Sequence, residues 1–151
     1  MIKNLVVFLI LTIAGHSAFA QLNPVSWSFN SKKISDKTYE VRMTATMQPG
    51  WHLYSQVQPD DAIAIPTDIQ FNNNPLITMN GAIKEVGKME KFKDEKLGVA
   101  ANQYAKKVEF VQIVKLKANV KTNVTGTIEY QTCDDVKCLP PKKVNFNLAV
   151  Q

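Results

Sequence analysis

Histidine and cysteine are both scarce, with two of each in 151 residues, and that scarcity excludes several chemistries. His16 falls in the N-terminal leader described below, so His52 is the one histidine left for the mature chain. Ser-His-Asp and Cys-His catalysis, and zinc hydrolysis, need imidazole set among further ligands or acids, so a single histidine without ligand spacing argues against a hydrolase. Two cysteines are too few to frame a small disulfide scaffold, and a chain of this size can bury a core without one. Long apolar runs are also missing beyond the leader, which excludes a membrane-inserted body, since a spanning helix needs about 20 apolar residues. The basic residues Lys32, Lys33, Lys84, Lys88, Lys106, Lys107, Lys142 and Lys143 are scattered and not interleaved with aromatics, which disfavours a nucleic-acid surface.

At the N-terminus, Lys3, the apolar run Leu5 to Ala14 and Ala18-Phe19-Ala20 have the charged, apolar and small-residue parts of a secretory signal peptide. Residues 1–20 are therefore expected to be removed, with cleavage after Ala20. Seventeen basic and thirteen acidic residues then remain, a formal charge of +4. Residues 21–151 are expected to form one soluble, exported domain, because domains commonly run to about 100–150 residues.

Alternation with a period of two dominates that domain. Val25, Trp27 and Phe29 alternate with serine and asparagine, and Tyr39, Val41, Met43, Ala45 and Met47 alternate with polar residues. Beyond the turn at Gln48-Pro49-Gly50, Trp51 to Tyr54 begins another extended segment, and Ile69 to Phe71 a further one. Val108 to Leu116, Val124 to Tyr130 and Val144 to Val150 complete the set. Strands punctuated by turns, with no sustained helical period, predict an all-β, immunoglobulin-like antiparallel sandwich. Residues 83–105 follow neither period and read as a long loop or an irregular hairpin, a candidate lid with Phe92 as its isolated aromatic.

The most informative segment runs from Tyr130 to Pro141 and carries Cys133 and Cys138 with four residues between them. So short a turn lets the two Cα atoms approach the separation of about 5.5 Å that a disulfide prefers. Closing so small a loop removes little entropy from the unfolded chain, which counts against a purely stapling role. A local pair that opens and closes without disturbing the core is instead the mark of a working dithiol. Asp134 and Asp135 disfavour a thiolate at Cys133, whereas Lys137 favours one at Cys138. From spacing alone, three uses stay open: thiol exchange, an inert hairpin disulfide and metal binding.

Tyr130-Gln131-x-Cys133, the short acidic turn and Cys138-Leu139-Pro140-Pro141 before a terminal strand resemble the N-terminal periplasmic domain of DsbD-type thiol:disulfide interchange proteins. Gly50-Trp51-His52-Leu53-Tyr54 is similar to that family's Gly-aromatic-x-Leu-Tyr strand, and Glu90-Lys91-Phe92 falls where the family carries a cap loop whose phenylalanine covers the disulfide. The resemblance implies a periplasmic, immunoglobulin-like, monomeric domain without a cofactor. It would take electrons from a membrane-embedded DsbD/CcdA-like electron transporter and pass them to exported thioredoxin-fold proteins. It further implies that Cys133 and Cys138 are the redox pair and that Cys138 carries the mixed disulfide. Phe92 would shield the pair, Trp51 and Tyr54 would lie beside it, and Glu90 would influence its protonation. Better-known members place five residues between the cysteines, against four here, and this chain ends after its terminal strand, which implies a free-standing version.

Two other readings compete. Met43, Met47, Met79, Met89, His52 and the two cysteines are ligands that suit Cu(I), although no spacing gathers them and Met43 and Met47 fit a core face. A binding or adhesion module with an inert disulfide is the other, because fold does not fix function.

Overall fold

The computed structural model describes residues 22–95 and 98–151; the leader predicted over residues 1–20 lies outside the described residues. Alternating apolar and polar side chains point to opposite faces of an extended strand, so each such segment can bury one face only against a second layer. The described residues form nine strands: β1 (Val25–Ser35), β2 (Thr38–Met47), β3 (His52–Tyr54), β4 (Asp68–Phe71), β5 (Ile77–Asp94), β6 (Val99–Leu116), β7 (Thr122–Tyr130), β8 (Thr132–Cys133) and β9 (Lys142–Val150). They form two antiparallel sheets. One has the order β1-β2-β6-β3-β8, with β5 on the other side of β6, and the second is β4-β7-β9.

Between the sheets lies one core. Val41, Met43, Ala45, Val108, Phe110 and Val114 come from the larger sheet, and Val124, Ile128, Phe146 and Val150 from the smaller, all buried. Aromatic rings fill it: Trp27 stacks on Phe110 of its own sheet at 5.9 Å and meets Tyr130 across the layers at 5.4 Å, while Phe146 meets Phe29 across the layers at 5.8 Å and Phe71 of its own sheet at 5.4 Å. Such offset and tilted pairs add modestly to the apolar area they bury. At Gly126 a methyl group would run into the Gln70 carbonyl and the Phe146 ring, so β7 needs glycine there to let β4 and β9 close over it.

Of the two readings for residues 83–105, the described residues there form the irregular hairpin and not a loop. β5 and β6 pair from Ile77 opposite Leu116 to Asp94 opposite Val99, with register shifts between Asn80 and Lys84 and between Gly87 and Met89. The second shift coincides with Lys106, whose φ of 68° is in the left-handed region. β6 pairs with β2 as far as Lys107 and with β3 from Ala105 onward, so Lys106 is the corner where this strand changes partner. Bulges of this kind bend a strand and re-aim its side chains. Past that corner the distal parts of β5 and β6 extend along β3 and β8, which brings Phe92 toward the cysteines.

Candidate functional site

The cysteine hairpin grows from a two-residue strand, β8, hydrogen-bonded to the equally short β3. Cys133 lies opposite His52 and Thr132 opposite Leu53, while β3 pairs on its other side with β6. Thr132 Oγ1 donates to the His52 carbonyl at 2.8 Å, adding a side-chain bond where the ladder is shortest. The turn is held by Asp134, whose Oδ1 accepts from the amides of Val136 (2.8 Å) and Lys137 (2.7 Å) while its own amide donates to the Lys137 carbonyl at 2.9 Å. This is the aspartate turn chemistry that makes Asp a frequent turn residue. The two amide bonds hold the Asp134 carboxyl below its ordinary range. Gln131 ties the exit down: its Nε2 donates to Leu139 O at 3.3 Å, and its Oε1 accepts from the Ile65 amide at 3.2 Å.

Cys133 and Cys138 are joined as a disulfide with a Cα separation of 4.0 Å. The two sulfurs are unequal. Cys133 is buried, 4% exposed, in a small cluster with Tyr54 and Ala101 against Ala64, whereas Cys138 is exposed. A cavity of about 440 Å³ opens beside Cys138, lined among others by His52, Tyr54, Phe92, Gln103 and Asp134. Burial holds the Tyr54 phenol above its ordinary range, so it faces the cavity protonated.

Phe92 shares one cavity with Cys138 and is 47% exposed. Glu90 stands opposite Gln103, half-buried on β5. Trp51 differs from expectation: it belongs to the main core with Leu53 and Tyr104, while Tyr54 alone of that aromatic run joins the Cys133 cluster. Residue 51 precedes β3, where strand alternation sends it and Leu53 to the face opposite His52 and Tyr54. Met43 and Met47 are core residues, and among the described residues no group of three or more His, Cys, Asp or Glu side chains is placed to hold a metal ion.

Two contributors were not placed at this site by the sequence reading, which weighed His52 only as a copper ligand. His52 lines the cavity directly across from Cys133; its place in the run Trp51-His52-Leu53-Tyr54, one residue out of phase with the core positions, was the available signal. Glu85 is the other, accepting hydrogen bonds from Ser55 Oγ (2.8 Å), the Gln56 amide (2.7 Å) and the Tyr104 hydroxyl (2.6 Å). Burial, together with that bond, drives the Tyr104 phenol far above its ordinary range. The network fastens the segment after β3 to β5, with Gln58 and Asn102 adding reciprocal bonds of 2.8 Å and 3.0 Å.

Residues 20–149 match the family of the thiol:disulfide interchange protein DsbD, N-terminal domain. The chain belongs to that family. Among solved structures, the N-terminal periplasmic domain of ScsB from Proteus mirabilis superposes with a TM-score of 0.61 at 17% identity, over 89% of this chain and 49% of that one. The chain therefore spans about half of the ScsB structure it matches. The DsbD N-terminal domain of Neisseria meningitidis in its reduced form gives 0.55 at 17% identity, over 89% and 94% of the two chains. No curated protein sequence matches. At such identities the superpositions establish the immunoglobulin-like sandwich. Membership of the DsbD N-terminal family, with the Cys133–Cys138 disulfide, establishes thiol:disulfide interchange as the general chemistry.

Proposed function

We propose that this chain is a periplasmic electron-relay domain. It accepts two electrons from a membrane-embedded DsbD/CcdA-like transporter, or its thioredoxin-like module, and delivers them to exported thioredoxin-fold proteins. The leader over residues 1–20 would direct export and be cleaved after Ala20. The observation that carries this reading is the asymmetry of the disulfide: Cys138 stands exposed at a cavity mouth while Cys133 is buried behind it. A stapling bridge has no use for such a mouth, whereas an incoming thiolate needs one accessible sulfur and a second that can leave.

Phe92 is the cap over that mouth, carried in by the distal part of the β5–β6 hairpin. Tyr54 forms the apolar floor beside Cys133, and Glu90, on the same hairpin, contributes negative charge near the rim. The binding-module alternative assigns no purpose to a dithiol set between a cavity and an aromatic flap.

The reading is tested by the equilibrium reduction potential of the pair, titrated against a thiol buffer of known poise. A value between about −200 and −270 mV, where working thioredoxin-like couples lie, is expected; one well below about −300 mV would make the bridge structural.

A further inference from the structure

We propose that the imidazole of His52 is the proton carrier for Cys133, protonating its sulfur as it leaves and taking the proton back when the dithiol is reoxidised. This rests on the exchange reading above and assigns the proton path within the same site.

When a partner thiolate attacks Cys138, a partner–Cys138 disulfide forms, the Cys138–Cys133 bond breaks, and Cys133 departs with the electron pair as a thiolate. That anion appears in a site 4% exposed, among Tyr54, Ala101 and Ala64. Charge in such surroundings is strongly disfavoured unless neutralised. A proton passed from the imidazolium gives a neutral thiol and a neutral imidazole. The partner's second thiolate then attacks its own sulfur of the mixed disulfide, releasing Cys138 and leaving the partner oxidised. In the delivering direction the steps reverse, and His52 takes the Cys133 proton so that this sulfur can resolve a mixed disulfide at Cys138.

Position singles out His52. It is the register partner of Cys133 across β3 and β8, so the two side chains leave the same face of the sheet, and it lines the cavity that also touches Cys138. Adjacent strands are about 4.8 Å apart. The other titratable groups on this face are worse placed or in the wrong state. Tyr54, on the same strand, holds its proton more tightly than a free phenol. Asp134, in the turn, is committed to two backbone amides and holds its proton less tightly than usual; Asp135 beside it is an exposed carboxylate. From β6 the cavity is lined by the uncharged Val99, Ala100, Ala101 and Gln103, with Ala105 the register partner of His52, and from the loop before β4 by the apolar Ile63 and Ala64. Glu90, on β5 with β6 and β3 between its strand and β8, is not among the residues that line the cavity. Imidazole is also the side chain that gains and loses a proton between about pH 5 and 8.

The test is the rate at which dithiothreitol reduces the oxidised mature domain from about pH 5 to 8, divided by the concentration of the reductant's thiolate, for wild type and His52→Gln. The normalised wild-type rate is expected to rise as pH falls, following the His52 ring titration read by NMR. In His52→Gln it is expected to be flat and lower at the acid end by roughly a hundredfold, the low end of what positioned proton transfer contributes. Superimposable profiles would overturn the proposal. So would a flat wild-type profile, which needs no variant to fold. A reduction potential below about −300 mV would sink the relay reading instead, and it is measured separately from the profile.

Discussion

Cys133 and Cys138 differ in exposure, and in the proposed relay that difference sets their roles. Attack needs an approach along the disulfide axis to a sulfur that solvent can reach, and the exposed Cys138 offers it where the buried Cys133 does not. Cys133→Ala, which leaves a lone thiol at Cys138, is therefore expected to trap an oxidised thioredoxin-fold partner as a mixed disulfide resolved on a non-reducing gel. Cys138→Ala is expected to trap none, and the reverse pattern would exchange the two roles. The pair was legible in the sequence because four intervening residues with an acidic start spell a tight turn. The contribution of Asp134 was legible only in part: its charge weighed against a thiolate, but the folded turn spends its carboxylate on the amides of Val136 and Lys137. Glu85 could not be found at all, since Ser55 and Tyr104 reach it from opposite sides in sequence, and only the pairing of β5 with β6 brings them together.

Among the elements, β2, β7 and β9 were readable because each buries one face and shows the other to water, so their alternation survives along the whole strand. β5 defeated that reading for a physical reason. It is an edge strand, exposed over most of its length, and two register shifts reset whatever alternation remains. Its lysines Lys84, Lys88, Lys91 and Lys93 are the charges by which an edge resists pairing with another chain, and they resemble a loop composition. Among the described residues β5 pairs only with β6, so its outer edge is open to water. The proposed cap, Phe92, therefore sits on an exposed edge strand rather than in a packed wall. Replacing Phe92 by Ala is expected to speed reduction of the disulfide by small thiols, measured by stopped-flow, with little change in thermal midpoint because the ring is half exposed. An unchanged rate would leave the ring as a surface contact that shields nothing.

For the whole molecule, the core and the redox pair are nearly independent. Breaking the disulfide frees a loop of only six residues, for which chain entropy predicts a loss of about 2 kcal/mol, against about 4.7 for a 100-residue loop. Folded domains commonly hold about 5–15 kcal/mol, so the reduced domain is expected to stay folded, with a melting temperature lower by roughly 5–15 °C in calorimetry. Cooperative unfolding on reduction would show that the bridge supports the sandwich after all. A single accessible sulfur has a further consequence for traffic through the site. In the proposed relay donor and acceptor would both dock over Cys138 and so exclude one another in time; the exchange cycle is then expected to follow ping-pong kinetics in which an excess of either reduced donor or oxidised acceptor, crowding the form it cannot use, slows turnover by occupying the shared berth.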